Sequence, residues 1–160
     1  MKKISVNSNF TIFDNIDDLP IEVKDLVENA KKIRLTAYSK YSNFSVGVSV
    51  LLENGQTING SNQENAAYPS GLCAERTALF YANSKYPDSK IVCLAIVAGS
   101  MSKINETPIA PCGGCRQVIS EFETKQASPI GIYFMGEKGK IVYSNSIENL
   151  LPFKFDSSFL

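Results

Sequence analysis

The segment Cys73-Ala74-Glu75-Arg76, together with Pro111-Cys112-Gly113-Gly114-Cys115 farther along, decides how this 160-residue chain is interpreted. The two segments contain three thiols and one carboxylate. A structural zinc ion normally has four protein ligands, whereas a catalytic zinc ion has three and keeps one position open. Three cysteines beside Glu75 therefore predict a catalytic metal centre with a proton carrier next to it.

The same segments begin predicted helices. Cys73 precedes an apolar helical run that ends before Pro87, and Cys112 or Gly113 begins a second helix with an apolar stripe. The positive ends of two helices would then point at the metal and lower the pKa of thiols that must bind it as thiolates. Between these helices, Ile91 to Ala98 is a continuous apolar run of the length expected for a strand buried on both faces.

The remaining hydrophobic pattern predicts further helices and strands. An amphipathic helix follows Pro20, and Ser146 caps a last short helix that stops at Pro152. The predicted strands are a hairpin, Phe44 to Leu52 with Gln56 to Gly60, followed by Ile130 to Met135 and Lys140 to Tyr143. Strands that alternate with helices indicate an α/β fold, a three-layer α/β/α domain with a mixed central sheet of about five strands.

Residues 1–160 are expected to form a single domain, with residues 1–20 as an N-terminal extension. Within the extension, Ile4 to Phe13 alternates weakly and could form a short strand. Such a strand would add to the edge of the sheet or contact another subunit. No internal repeat or linker interrupts the pattern.

Composition excludes several classes of function. Sixteen Lys and Arg residues balance sixteen Asp and Glu residues, so no overall field attracts nucleic acid or an acidic membrane surface. No apolar run approaches the roughly 20 residues that span a bilayer, and no apolar signal-peptide core follows Met1-Lys2-Lys3, so a cytoplasmic location is expected. Since the chain has no histidine, Ser-His-Asp and Cys-His catalysis are excluded, and a carboxylate, lysine, tyrosine or metal-bound water must transfer protons.

The two cysteine segments also fit other interpretations. Cys112-Gly-Gly-Cys115 could be a redox pair or half of a structural zinc site, and Glu75 and Arg76 could be exposed residues in a first helical turn. The combination of a third cysteine with both residues favours the catalytic centre. There the Arg76 guanidinium would offset the negative charge of three thiolates.

These residues resemble the small, three-cysteine, homotetrameric cytidine deaminases. Zinc deaminases combine such ligands with a glutamate that does not bind the metal and a Pro-Cys-x-x-Cys signature. The resemblance extends from about Ala37 to Phe155 and includes Tyr41 to Gly47, Asn62 to Ala66, Cys73 to Ala78, Pro111 to Gln117 and Leu150-Leu151-Pro152. Lys40 stands where the family usually has proline and Gly114 where alanine is common, and neither replaces a catalytic residue. The extension lies beyond the usual N-terminus of the family.

The resemblance implies a role for each matching residue. Cys73, Cys112 and Cys115 match the zinc ligands, Glu75 the proton-transferring glutamate, and Arg76 the arginine beside the ligands. The residues that match the substrate site are Phe44 against the pyrimidine ring, Asn62 and Glu64 on the ribose 3′-hydroxyl, Ala74, and Phe155 reaching in from a neighbouring subunit. Phe153 is the alternative to Phe155 as the residue that reaches in from a neighbouring subunit.

The implied reaction is zinc-dependent hydrolytic deamination of cytidine and deoxycytidine to uridine and deoxyuridine, with release of ammonia. The implied partners are a free nucleoside and further copies of the chain in a homotetramer, with no nucleic acid and no membrane. Three alternatives stay open: deamination of another cytosine nucleoside such as a blasticidin-type antibiotic, deamination within RNA or DNA, and a non-enzymatic zinc-stabilised interaction module.

Overall fold

The structure, a computed structural model, describes all 160 residues. Its nine principal elements follow the order of the chain. They are β1 (Thr11–Phe13), α1 (Ile21–Arg34), β2 (Phe44–Leu52), β3 (Thr57–Ser61), α2 (Ala74–Lys85), β4 (Ile91–Ser100), α3 (Gly113–Gln126), β5 (Gly131–Met135) and β6 (Ile141–Ser144). None of the helices is both long and apolar enough to cross a membrane.

One mixed sheet contains all six strands in the order β1-β6-β5-β4-β2-β3. Strands β4 and β5 pair in parallel, and every other neighbouring pair is antiparallel. The predicted hairpin is confirmed as β2 and β3. The predicted short helix after Ser146 is a 3-10 turn, Ile147–Asn149, whose Glu148 N–H donates to the Ser146 hydroxyl.

The alternating side chains of β4 divide the core into two halves. Leu94 and Ile96 pack with α2 and α3 on one face of the sheet, whereas Ala95 and Val97 pack with α1 on the other. This arrangement confirms the predicted three-layer α/β/α architecture and the predicted strand buried on both faces. It also explains why β4 reads as a continuous apolar run rather than an alternating one.

Helix α1 lies very close to β2 because β2 has a glycine at the contact. A Cβ atom on Gly47 would lie 2.1 Å from the Ala30 carbonyl oxygen and 2.6 Å from the Arg34 nitrogen. Helix α1 itself buries Val23, Leu26, Val27 and Ala30 at helical spacing. The absence of a side chain on Gly47 therefore sets the distance between the helix and the sheet.

The sheet has six strands where the sequence predicts about five. The additional strand is β1, which belongs to the N-terminal extension and pairs with β6 from Thr11↔Tyr143 to Phe13↔Ile141. The Phe13 ring lies 6.4 Å from the Tyr133 ring, and Tyr133 in turn stacks on Tyr143 at 4.5 Å. The extension thus supplies an edge strand, while its first ten residues form no helix or strand.

Candidate metal centre and substrate cavity

The three predicted metal-binding thiols converge at two helix starts. Cys73 is the residue immediately before α2, Cys112 is the residue immediately before α3, and Cys115 lies in the first turn of α3. The sulfur atoms all lie within 4.8 Å of one another, although Cys73 and Cys112 are 39 residues apart in the chain. The positive ends of both helices therefore face the same cluster, which favours ionised thiols.

The spacing of the sulfur atoms fits a zinc ion. The Sγ atoms of Cys73 and Cys112 are 3.8 Å apart, and those of Cys112 and Cys115 are 3.5 Å apart. Sulfur atoms at tetrahedral positions about 2.3 Å from a zinc ion would be separated by about 3.8 Å. All four cysteines of the chain are free, and the three in the cluster are too far apart for disulfide bonds. The remaining cysteine, Cys93, lies on β4 and is buried against α1.

Hydrogen bonds within the cluster favour a thiolate at Cys73. The neighbouring Cys115 thiol and the Arg76 guanidinium together lower the pKa of Cys73 to about 5. The Nη2 atom of Arg76 donates to the Cys73 sulfur at 3.7 Å. Interaction with Cys73, together with burial, raises the pKa of the Cys115 thiol. Arg76 therefore places a positive charge beside the thiol cluster.

Glu75 lies beside the thiol cluster and is almost completely buried. Only 4% of its surface is exposed. Burial raises the pKa of its carboxyl group, and the nearby Cys73 thiolate raises the pKa further. A carboxyl group whose charged form is disfavoured in this way can both accept and return a proton.

A cavity of about 280 Å³ connects the cluster to the other predicted site residues. Its wall includes Phe44, Asn62, Glu64, Cys73, Glu75 and Cys112. The structure thus brings together residues from β2, the segment after β3 and both helix starts. Ala74 is fully buried at the start of α2 and packs in the core rather than lining the cavity.

Hydrogen bonds orient Asn62 against the start of β2 and Glu64 against the turn that precedes β2. The Asn62 side chain accepts from the Val46 N–H at 2.8 Å and donates to the Phe44 carbonyl oxygen at 3.0 Å. An amide group has two N–H donors, so one remains for another partner. The hydroxyl of Ser42 and the backbone N–H groups of Tyr41 and Ser42 donate to the Glu64 carboxylate, and they hold its pKa below the usual range.

A second cavity of about 400 Å³ adjoins the first on its outer side. Tyr41, Tyr68 and Leu72 contribute to its wall, together with Arg76. Both cavities share the four residues Ser42, Asn62, Glu64 and Cys73. The shared residues therefore lie at the junction between the buried pocket and the surface.

Phe155 and Phe153 do not reach either cavity of their own chain. Phe155 is 58% exposed, and its carbonyl oxygen accepts a hydrogen bond from the Gln117 side chain at 2.8 Å. Phe153 is 80% exposed and has a left-handed backbone conformation with φ of 57°. The predicted contact with another subunit stays a prediction for both residues.

Five apolar residues of the cavity wall were not predicted from the sequence: Val46, Ile96 and Ala98 on the sheet, and Ile109 and Ala110 outside it. Ile109 and Ala110 belong to the segment between β4 and Cys112. Their only signal in the sequence is their position just before Pro111-Cys112. A loop without periodicity gives no indication of which side chains face inward.

The fold and the three-thiol cluster define a zinc-binding α/β/α domain. The model of the cytidine and deoxycytidylate deaminase zinc-binding region matches residues 21–129, and the chain belongs to this family. Zinc is therefore its cofactor.

Known relatives agree with this assignment. The cytidine deaminase of Sporosarcina psychrophila is 40% identical over 140 residues, which cover 88% of this chain and 96% of the relative. The cytidine deaminase of Halalkalibacterium halodurans is 37% identical over 133 residues, which cover 81% of this chain and 91% of the relative. The crystal structure of cytidine deaminase from Burkholderia pseudomallei is 34% identical with a TM-score of 0.71, and the similarity covers 86% of this chain and 100% of that one.

Proposed function

We propose that this chain catalyses the hydrolytic deamination of cytidine and deoxycytidine to uridine and deoxyuridine, with release of ammonia. The observation that carries the proposal is the shared cavity of Cys73, Cys112 and Glu75, with Phe44, Asn62 and Glu64 on its wall. The relatives named as cytidine deaminases support the same activity.

Cys73, Cys112 and Cys115 would hold the zinc ion through their sulfur atoms. When bound, zinc supplies a water activated for nucleophilic attack near neutral pH. Glu75 would take up two protons in turn, one from the attacking water and one from the hydroxyl group left on C4, and would deliver the first to N3 of the base and the second to the departing amine. Its burial keeps bulk water away from this transfer. Arg76 donates to the Cys73 sulfur and so withdraws negative charge from the thiol cluster.

The other side of the cavity fits a nucleoside. Phe44 provides an aromatic surface for a pyrimidine ring, and the free amide N–H of Asn62 and the Glu64 carboxylate provide one donor and one acceptor for the ribose 3′-hydroxyl. A buried hydroxyl needs both kinds of partner. This pairing favours a sugar-bearing substrate over free cytosine.

The alternative functions have less support. A non-enzymatic zinc module has no need for a buried carboxylate in a cavity beside the metal. Deamination within RNA or DNA requires phosphate contacts, but Arg76 is the only basic residue that lines either cavity. Comparing cytidine, deoxycytidine, cytosine and blasticidin S as substrates separates the nucleoside from the antibiotic.

Replacing Glu75 by glutamine tests the proposal. The zinc-loaded parent protein should release ammonia from cytidine, and Glu75→Gln should retain zinc but lose roughly 10² to 10⁴-fold in kcat, because positioned proton transfer contributes about that much. Glu121→Gln, which changes an exposed carboxylate on α3, is the matched control and should keep parent activity. Parent-level turnover by Glu75→Gln would contradict the assigned role of Glu75.

We also propose that the chain forms a homotetramer in which Phe155 approaches the cavity of a neighbouring subunit. Exposed apolar residues support this assembly, since Phe80 and Tyr81 on α2 are 45% and 53% exposed, and Tyr68 beside the outer cavity is 75% exposed. Light scattering coupled to size-exclusion chromatography measures the assembly directly. A monomeric, fully active enzyme would contradict both statements.

A reducing compartment, the cytoplasm, suits the thiol cluster. Three free thiols within 4.8 Å of one another would be oxidised readily when no metal protects them. Fractionation of cells that express a tagged copy tests this location.

A further inference from the structure

Ser42 links the residues proposed to hold the sugar to those proposed to hold the base. Its hydroxyl donates to Oε1 of Glu64 and accepts the N–H of Phe44 at 3.0 Å. A hydroxyl has only one proton, and the charged Glu64 oxygen is closer than the Phe44 carbonyl oxygen, which lies 3.4 Å away. The Ser42 hydroxyl therefore donates its hydrogen bond to Glu64, while its oxygen accepts the backbone N–H of Phe44.

The backbone around Ser42 reinforces this arrangement. The N–H groups of Tyr41 and Ser42 donate to Oε2 of Glu64 at 2.8 and 3.2 Å. The next residue, Asn43, has a left-handed conformation with φ of 54°, and its N–H donates to the Ser39 carbonyl oxygen at 2.9 Å. The turn that presents Ser42 is thus held by its own hydrogen bonds.

The bonds leave Glu64 with a defined free acceptor position. A carboxylate has about four acceptor positions, and the three bonds from residues 41 and 42 occupy two on Oε2 and one on Oε1. The remaining position is on Oε1, the oxygen that the Ser42 hydroxyl holds. Glu64 lines both cavities, so this acceptor lies at their junction.

We propose that Ser42 is a positioning residue for substrate binding, which aims the free acceptor of Glu64 at a sugar hydroxyl and fixes it relative to Phe44. This inference rests on the proposed function, in which Glu64 contacts the ribose. Ser42 itself acts through Glu64 and does not take part in the chemistry.

Kinetics of Ser42→Ala with two substrates test the inference. For cytidine, KM should rise by about 10-fold to 100-fold, because a hydrogen bond to a charged group is lost, while kcat stays within about 3-fold. For 2′,3′-dideoxycytidine, which lacks both ring hydroxyls, parent and variant should agree within about 3-fold, since Glu64 has no hydroxyl to bind. Where turnover of this analogue is too slow, its inhibition constant against cytidine replaces KM.

Two further variants separate positioning from folding. Ser42→Thr keeps the hydroxyl and should restore KM for cytidine to near the parent value. Ser39→Ala removes another hydroxyl group of the same loop. The side-chain hydroxyl of Ser39 hydrogen-bonds only to the Ser45 hydroxyl, at 2.9 Å, so its loss should leave KM unchanged. Zinc content and Tm are measured for every variant.

The outcomes are distinct. An unchanged KM for cytidine in Ser42→Ala, or an equal rise for both substrates, overturns the positioning role while the parent still deaminates cytidine. A zinc-loaded parent that releases no ammonia from cytidine overturns the proposed function, and the role of Ser42 with it.

Discussion

Replacing Glu137 with glutamine removes the charge that compensates a buried guanidinium. Arg34, at the end of α1, is only 8% exposed, and its Nη2 atom lies 2.5 Å from Oε1 of Glu137. Its Nη1 atom donates to the Gly99 carbonyl oxygen at 3.3 Å. The other carboxylate oxygen of Glu137 accepts the N–H of Asn105 at 3.0 Å. Glu137 therefore joins α1 to the loop that continues to Cys112.

The expected cost follows from this burial. Removing one partner of a fully buried ion pair costs about 3–5 kcal/mol. The side chains of Arg34 and Glu137 are 10% and 19% exposed, and glutamine still offers an acceptor, so we expect about 2–3 kcal/mol. For a chain of this length the fall in Tm should be about 5–10 °C.

Thermal unfolding of the zinc-loaded protein measures the effect. The matched control is Asp14→Asn, which removes the ion pair between Asp14 and Lys140 at 2.9 Å. The two side chains of this pair are 77% and 63% exposed, so its loss should cost less than about 1 kcal/mol. A double-mutant cycle with Arg34→Met measures the coupling between Arg34 and Glu137 directly. If Glu137→Gln lowers Tm no more than Asp14→Asn does, the buried ion pair does not stabilise this loop and the reasoning is wrong.

Three other predictions concern the core, the metal and the substrate. Gly47→Ala should lower the free energy of unfolding by about 3 kcal/mol or more, because its Cβ would lie 2.1 Å from the Ala30 oxygen, and urea unfolding measures this. Arg76→Gln removes the donor to the Cys73 sulfur and should weaken zinc binding in chelator competition, so unchanged affinity together with unchanged turnover would count against its role. The pKa of Glu64 lies below its ordinary value of 4.5, mainly because of the hydrogen bond from the Ser42 hydroxyl. Glu64 therefore stays charged above pH 4.5 and loses its charge only as the pH falls through the lowered pKa. The ratio of KM for 2′,3′-dideoxycytidine to KM for cytidine should therefore stay constant from pH 7 down to about pH 5, because both substrates meet Glu75 but only cytidine has a hydroxyl for Glu64; a fall in this ratio within that interval would refute the assignment.

The local parts of the site were predictable from the sequence. Cys73 and Cys112 precede apolar helical runs, so the starts of α2 and α3 follow from hydrophobic periodicity. The alternation from Phe44 to Leu52 predicts the hairpin that presents Phe44. These features depend on residues that are close in the chain, where propensity and pattern are informative.

Contacts between distant segments were not predictable in the same way. The weak alternation from Ile4 to Phe13 suggests a short strand, but it does not show which three residues form β1 or that they pair with β6. Arg34 and Glu137 are 103 residues apart, and each reads in the sequence as an ordinary exposed charge. Such pairs form because the sheet brings their elements together.

The sequence by itself determined which groups the site contains: three thiols, no histidine, the Glu75 carboxylate and the two helices that begin beside them. These follow from residue chemistry and short-range periodicity. Only the tertiary structure decided that the thiols lie within 4.8 Å of one another, that Glu75 is buried next to them, and that Ser42 fixes Glu64 against the start of β2. The physical reason is that the order of the strands sets which loops meet at one end of the sheet, and that order results from packing across the whole core.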